Sequence, residues 1–271
     1  MLLPTRFDQV GGRAVRFARI GQGPPIVMLH GYPDNLQLWS EVAPLLAARF
    51  DVIAVDWPGM GMSEAWAGGA SPFDMAARLI ALFDHWKIAR AALVGADMGG
   101  QPALVVAARH PDRISHVVVT GSLLQWDAAT SWEIKLLRTF RFNQFVLKTL
   151  PRLVFERALR TFLPNGHAID AHVRDDFWQA FRRPDVRAFI VRMCAGYQGT
   201  LQRVAHEYAG IAAPTLALWG ARDAHFPPVH ALRLKDQVRD AEVQIVEDGE
   251  HWLPLQAQHV FAERVAAFLT R

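Results

Sequence analysis

A carboxylate occupies the centre of a Gly-flanked turn that in many enzymes carries a serine. Residues 93–101, Leu-Val-Gly-Ala-Asp-Met-Gly-Gly-Gln, predict an apolar strand, a sharp turn and the first turn of a helix. Such an elbow holds one side chain at the tip of a strained turn above the end of a sheet, and here that side chain is Asp97. A carboxylate is expected to be ionised at neutral pH and can attack carbon directly, whereas a serine needs a base. The elbow therefore favours displacement at a saturated carbon over peptide or ester cleavage.

Two more residues complete the order nucleophile, acid, histidine along the chain. Asp223 ends the segment Trp-Gly-Ala-Arg-Asp at 219–223, and His251 lies just beyond the last predicted strand. Ligands bind at the carboxyl ends of strands in open α/β sheets, so we expect both residues to meet the elbow. Asp223 could instead cap a helix that begins near Val229. The spacing favours a catalytic role.

A third loop offers hydrogen-bond donors. The segment His-Gly-Tyr-Pro-Asp at 30–34 follows a predicted strand, and the backbone N–H groups of Tyr32 and Met98 are candidates for an oxyanion hole. The candidate residues for a substrate pocket are His30, Trp39, Trp126, Phe142 and Trp252. Aromatic residues at helical spacing also pack in cores, so the pocket assignment is a hypothesis.

The elements that must position these residues follow a regular alternation. Strands are predicted at 13–19, 26–29, 52–55, 92–94, 116–120, 214–219 and 242–246, and helices at 41–48, 74–86, 98–109, 229–238 and 256–269. This alternation predicts an α/β fold with a mainly parallel sheet and helices on both faces. Between the two alternating parts the pattern is helical throughout. We expect a core formed by residues 1–124 and 210–271, with residues 125–209 inserted as a helical lid over the sheet.

Composition narrows the class of protein. The 271 residues are 51% hydrophobic and 20% charged, which is typical of a globular protein. No segment approaches the ~18 uninterrupted apolar residues of a membrane span, and we expect a cytoplasmic protein. Cys194 is the single cysteine, which excludes an internal disulfide and a cysteine cluster for a metal. The sequence predicts a small-molecule substrate, no cofactor, no metal and no nucleic-acid partner.

The charge is unevenly distributed. The net charge is +3, but residues 125–209 hold 13 Lys and Arg against 8 Asp and Glu, while the rest of the chain holds 16 against 18. A solvated helical surface would explain this excess. The alternative is that the positive electrostatic potential of this segment attracts anionic substrates or binds a membrane surface. The apolar faces of the lid could also form a homodimer contact.

Together these motifs resemble the α/β-hydrolase superfamily over nearly the whole chain. The segments are His-Gly-x-Pro at 30–33, the Asp97 elbow, Trp-Gly-x-x-Asp at 219–223 and Gly-x-His-Trp at 249–252. Within the superfamily the chain is similar to the aspartate-nucleophile group of epoxide hydrolases and dehalogenases. The resemblance implies the α/β-hydrolase fold with a mostly parallel eight-stranded sheet. Residues 192–198 resemble the end of the lid in that group, which implies that Tyr197 binds the leaving group.

The resemblance also implies a two-step mechanism. Asp97 would form a covalent alkyl-enzyme ester while Tyr197 hydrogen bonds to the departing oxygen. His251, oriented by Asp223, would then activate water to hydrolyse the ester.

Departures from the family patterns leave the electrophile open. Haloalkane dehalogenases place a tryptophan where this chain has Met98, and fluoroacetate-type dehalogenases place arginines where residues 98–102 carry no cation. Epoxide hydrolases commonly have two lid tyrosines, but residues 140–145 contain none, and His167 or His172 could substitute. We favour epoxide hydrolysis. The alternatives are dehalogenation, an esterase or lactonase whose serine is replaced by Asp97, and a non-enzymatic ligand receptor on the same fold.

Overall fold

The computed structural model describes residues 1–163 and 168–271, with the side chains of Phe140 and Gln198 outside the description. In these residues the strands are β1 (Arg6–Val10), β2 (Arg13–Ile20), β3 (Pro25–Leu29), β4 (Asp51–Val55), β5 (Ala91–Ala96), β6 (Ile114–Thr120), β7 (Thr215–Gly220) and β8 (Ala241–Val246). They form one sheet in the order β1-β2-β4-β3-β5-β6-β7-β8. Strand β2 is antiparallel to β1 and β4, and the other neighbouring pairs are parallel. The predicted fold class is confirmed.

The central strands are apolar because helices cover both faces of the sheet. Strands β3, β4, β5 and β7 are buried along almost their whole length. A near-continuous apolar run is what a parallel strand covered on both sides requires. The edge strand β8 is only half-buried, and its sequence alternates polar and apolar residues.

The sequence analysis missed strand β1. Its residues are mostly exposed, because it lies at the edge of the sheet and pairs only with β2. Gly11 and Gly12, both with positive φ, connect the two strands. A Gly-Gly pair between two β-rich runs is a typical two-residue hairpin signal, and it would have identified this strand.

The helices of the described residues are α1 (Val42–Leu46), α2 (Pro72–His85), α3 (Gly100–Arg109), α4 (Trp132–Leu137), α5 (Phe140–Thr149), α6 (Pro151–Phe162), α7 (Ala171–Phe181), α8 (Pro184–Glu207), α9 (Val229–Gln237), α10 (Leu253–Gln256) and α11 (Gln258–Leu269). Helix α2 begins where Ser71 and Asp74 form a capping box, followed by Pro72 at the first helical position. None of the helices in the described part of the chain is both long and apolar enough to span a membrane.

Helices α4 to α8 lie between β6 and β7 in the chain, in the interval predicted for the lid. Helix α8 packs on the core helices α2 and α3 and on α5. Near the two ends of the insertion, the Tyr208 hydroxyl donates to the Leu124 carbonyl over 3.0 Å, and Arg109 pairs with Glu207. These contacts bring the entry and the exit of the insertion together at the sheet. The exact domain boundaries stay a prediction.

Candidate active site

Asp97 lies at the tip of the elbow between β5 and α3, in a backbone conformation that is rare for a residue with a side chain. Its φ is 47°, and the side chain is buried. A Cβ at Gly95 would come within 2.6 Å of the Gly99 carbonyl, and a Cβ at Gly99 would overlap the Leu29 carbonyl. The turn therefore needs glycine on both sides. A strained φ of this kind costs about 1–3 kcal/mol and is typical of functional sites.

Backbone amides hold the Asp97 carboxylate. The Tyr32 N–H donates to its Oδ2 over 2.8 Å, and the nearby Met98 amide lowers the pKa of the carboxyl group. A Cβ at Gly31 would overlap the Asp97 side chain, so glycine is required for this close approach. The two amides predicted for the oxyanion hole thus converge on the carboxylate itself.

Burial changes the protonation of Asp97. Desolvation raises its pKa from 3.8 to about 7, and the nearby Asp34 carboxylate adds to the increase. His251 and the two amides lower the pKa, but they do not offset burial. The expectation that this carboxylate is fully ionised at neutral pH is therefore wrong, because it assumed an ordinary pKa. The Asp97 carboxylate thus gains its proton near neutral pH rather than near pH 4.

Asp223 and His251 are in hydrogen-bond contact. The His251 Nδ1 lies 3.0 Å from the Asp223 Oδ2, and both residues are buried. The other carboxylate oxygen of Asp223 accepts the backbone amides of His225 and Phe226 over 2.9 Å each. The amides that Asp223 accepts thus lie before α9, which begins at Val229. Asp223 therefore does not cap this helix.

The imidazole of His251 has one nitrogen held and one available. Desolvation lowers the pKa of His251. The charge and hydrogen bond of Asp223 and the charge of Asp97 raise it by more, so the pKa lies above its ordinary value. The Nε2 atom is buried without a hydrogen-bond partner among the described residues. Gly121 allows the ring to lie close, because a Cβ there would be 3.1 Å from Nδ1. Asp223 thus fixes the ring and leaves Nε2 able to bind a water molecule.

A small inner cavity of about 40 Å³ contains Asp97. Its lining includes Tyr32, Met98, Asn143, Cys194 and Tyr197 together with Leu123, Ile134, Leu137, Arg138, Phe162, Ile190 and Phe226. Both tyrosine hydroxyls are buried without a hydrogen-bond partner in the described residues. Burial raises the pKa of each phenol well above 10, so both stay protonated. They are two potential donors beside one carboxylate.

Sequence reasoning missed Asn143 and the side chain of Tyr32 as cavity residues. Asn143 is fully buried, and its amide has no well-formed hydrogen bond within the described part of the chain, the Cys194 thiol being the polar group beside it. It lies four residues before the buried Leu147, on a helix whose residues 141, 142, 144 and 145 are exposed, so its side chain faces inward. No signal in the sequence indicated this orientation, because the apolar residues of the segment are 140, 142, 145, 146 and 147.

A larger outer cavity of about 440 Å³ adjoins the inner one. The two share Tyr32, Ile134, Leu137 and Phe162 as walls. Apolar side chains from α4, α5 and α6 form most of the outer lining, which includes the predicted pocket residue Phe142. The ring of Phe162 also packs 4.4 Å from the ring of His251, centroid to centroid. Phe162 therefore separates the outer cavity from the histidine.

The remaining predicted pocket residues lie elsewhere. Trp39 is fully buried and packs on Phe261, and Trp252 is buried against Phe162 and Phe177. Among the described residues that line the inner and outer cavities, neither tryptophan is present. Both are large apolar side chains that the core needs, and helical spacing could not distinguish core from pocket.

Trp126, His30 and His172 also lie outside the two cavities. Trp126 lines a separate surface cavity, with the Arg138 guanidinium 3.5 Å from its ring centroid. His30 is a structural residue, because its Nδ1 lies 2.9 Å from the Gly31 carbonyl and its Nε2 accepts the Trp57 amide over 3.3 Å. His172 is exposed at the start of α7, and His167 lies outside the described residues.

Comparisons with known proteins agree with this geometry. The alpha/beta hydrolase fold family matches residues 24–258. Haloalkane dehalogenase 2 of Mycobacterium tuberculosis is 30% identical over 96% of this chain and 91% of its own length. A 2-hydroxy-6-oxononadienedioate/2-hydroxy-6-oxononatrienedioate hydrolase of Klebsiella pneumoniae is 28% identical over 98% of this chain and 96% of its own. A solved epoxide hydrolase superposes with a TM-score of 0.82 at 19% identity, covering 98% of each chain.

The chain belongs to the α/β-hydrolase fold family. It is a hydrolase, and its 30% identity to the haloalkane dehalogenase over nearly the whole of both chains places it near the dehalogenases of that family. The relatives named above carry different activities, so the choice among substrates depends on this chain's own residues.

Proposed function

We propose that this protein hydrolyses small apolar epoxides, with Asp97 as the nucleophile of a covalent two-step reaction. The observation that supports the proposal is the inner cavity. The Asp97 carboxylate lines it together with the phenols of Tyr197 and Tyr32, which have no hydrogen-bond partner among the described residues. An epoxide needs this combination. The nucleophile attacks one ring carbon, the C–O bond of that carbon breaks, and the ring oxygen must at the same time gain a proton or hydrogen bonds. The hydroxyl of Tyr32 supplies the second donor that the lid sequence lacks.

In the first step the ionised Asp97 attacks one epoxide carbon. The C–O bond of the ring breaks, an ester bond to Asp97 forms, and the ring oxygen takes the proton of Tyr197 to become a hydroxyl group. The Tyr32 hydroxyl hydrogen bonds to the same oxygen. Because burial raises the pKa of both phenols, the donors remain protonated at neutral and moderately alkaline pH, where Asp97 is ionised.

In the second step His251 takes a proton from water through Nε2, and the resulting hydroxide attacks the ester carbonyl. The alkyl C–O bond stays intact, the acyl C–O bond breaks, the diol leaves, and the proton on His251 restores the Tyr197 phenol. Formation of the ester removes the negative charge of Asp97, which is one of the charges that raise the pKa of His251. The imidazole therefore loses affinity for its proton at the step that requires a base. The Tyr32 and Met98 amides stabilise the tetrahedral oxyanion, and loss of one such donor typically costs about 3 kcal/mol.

A single turnover in ¹⁸O-labelled water tests the chemistry. Excess enzyme is mixed with an aryl-substituted epoxide, and the peptide containing Asp97 is analysed by mass spectrometry. One labelled oxygen in Asp97 and none in the diol are expected, since water attacks the ester carbonyl. The His251→Gln variant is expected to retain the alkyl adduct. Turnover that leaves Asp97 unlabelled would rule out the covalent route.

Dehalogenation is the second candidate, favoured by the dehalogenase relative that covers nearly the full chain. The Asn143 amide and the Tyr197 hydroxyl could donate to a halide, but Met98 has no side-chain donor. Parallel assays with epoxides, haloalkanes, haloacids and nitrophenyl esters separate these classes. The Asp97→Ser variant tests the replaced-serine hypothesis, because esterase activity in that variant alone would identify an esterase scaffold. Tight ligand binding without turnover of any substrate would favour the receptor hypothesis.

A further inference from the structure

The lid exposes an unusual concentration of large apolar side chains. Trp132, Phe142, Phe145, Leu150 and Leu153 are 60%, 40%, 62%, 45% and 63% exposed, and they come from the adjacent helices α4, α5 and α6 and the turn between the last two. We call these five residues the apolar lid face. They are almost half of the exposed large hydrophobic residues in the part of the chain that the structure describes. Solitary exposed apolar residues need no explanation, but a contiguous group marks an interaction site.

The charges around the apolar lid face are mostly positive. Lys135, Arg141, Lys148 and Arg160 are exposed and form no ion pair with the described residues. The two acidic residues of these helices are neutralised, since Glu133 pairs with Arg157 over 2.8 Å and Glu156 with Arg152 over 2.6 Å. The cationic excess found in the sequence is thus concentrated on helices α4 to α6, which also carry the apolar lid face.

The apolar lid face overlaps the outer cavity. Trp132, Phe142 and Leu153 belong to the face and also line the cavity, so an apolar molecule on this face lies next to the cavity. The cavity walls Tyr32 and Phe162 then continue to the inner cavity beside Asp97. An apolar molecule that enters at the lid face therefore meets mostly apolar walls between the outer cavity and the carboxylate.

We propose that the apolar lid face docks on the surface of an anionic lipid bilayer, from which apolar substrate enters the outer cavity. Apolar residues that insert at the headgroup boundary together with flanking cations are the two contributions that stable interfacial binding needs. A second copy of the chain is a poorer partner, because it would bring the same unpaired cations against this surface. The docking itself does not depend on the chemistry at Asp97.

Co-sedimentation with lipid vesicles tests the docking without an activity assay. The full chain is mixed at low ionic strength with vesicles of phosphatidylcholine alone or with phosphatidylglycerol added. Binding to the mixed vesicles is expected, with much weaker binding to phosphatidylcholine and release by salt. Each basic residue near an anionic surface contributes roughly a fivefold increase in affinity. The double variant Arg141→Gln/Lys148→Gln should therefore bind about 25-fold more weakly.

The matched control is Arg49→Gln/Arg239→Gln, which removes the same charge from exposed positions of the core and should bind like the unaltered chain. The Phe145→Ser variant should also weaken vesicle binding, and Phe145 lines neither cavity. Far-UV circular dichroism confirms that each variant is folded. Equal loss of binding in the control and lid variants would overturn the proposal, as would absence of binding to anionic vesicles. A dimer disrupted by Phe145→Ser, with no vesicle binding, would instead identify a second copy as the partner.

Discussion

The buried charge of Asp97 should lower the free energy of unfolding, and the Asp97→Asn variant tests this directly. Asparagine has the shape of the protonated carboxyl group, and its oxygen can still accept the Tyr32 amide that donates to Oδ2 over 2.8 Å. The substitution removes the charge while keeping the volume. We therefore expect a more stable protein at alkaline pH, although the residue proposed as nucleophile is lost. Gains of this kind are typical of residues that serve activity at the expense of stability.

The size of the effect follows from the pKa. Burial raises the Asp97 pKa from 3.8 to about 7, or about three units at about 1.4 kcal/mol each. The folded state thus binds the proton more tightly than the unfolded state, and the free energy of unfolding decreases as pH rises from about 4 to about 7. Asp97→Asn lacks this decrease. Its advantage should be small near pH 4 and reach at most about 4 kcal/mol above pH 7.

Thermal unfolding of both proteins between pH 4.5 and 9 measures this difference. A gain of this size raises Tm by on the order of 10 °C at pH 8. Asp112→Asn, an exposed position, controls for the loss of one negative charge. In a His251→Gln background the gain should increase, because the histidine charge lowers the Asp97 pKa. A difference that does not change with pH, or a less stable Asp97→Asn at pH 8, would refute the reasoning.

Three further predictions concern the reaction. Tyr197→Phe should lower the single-turnover rate of epoxide opening about 10²–10³-fold without destabilising the protein, because its buried hydroxyl has no partner among the described residues; an unchanged rate would remove its proposed role. The opening rate should rise with pH to a plateau above about 7, as Asp97 ionises, and a flat profile measured by stopped flow would contradict this. Asp223→Asn should slow ester hydrolysis more than ester formation, so mass spectrometry should detect an accumulated adduct on Asp97; a bare enzyme during turnover would argue against it.

The sequence predicted the elbow and its partner pair because their positions depend on topology. Asp97 follows β5, Asp223 follows β7 and His251 follows β8, and these strands are parallel in one sheet. Strands with that arrangement end at the same edge, so residues more than a hundred positions apart converge there. Alternation of strands and helices was sufficient to establish this edge, without information on side-chain packing.

Side-chain direction in the lid and the core could not be predicted in the same way. Trp39 and Phe142 are both aromatic residues on helical segments, yet Trp39 packs in the core and Phe142 lines the outer cavity. The distinction depends on how neighbouring elements cover each residue, which periodicity does not contain. The phenol of Tyr32 is another example, since the motif identified only its backbone amide. The pKa of Asp97 likewise depends on burial beneath the lid.

The arrangement around Asp97 favours a neutral group at the elbow tip. Desolvation and the Asp34 carboxylate both disfavour the charged carboxylate, and the strained backbone holds it close to Gly31. In the proposed reaction, ester formation would remove that charge, so this environment would assist attack on carbon and stabilise the ester once formed. The same environment would make hydrolysis of the ester the harder step. A buried imidazole that is held by Asp223, and whose Nε2 has no partner among the described residues, is what this second step would require, which accounts in the proposal for a histidine and an acid beside a carboxylate that needs no base.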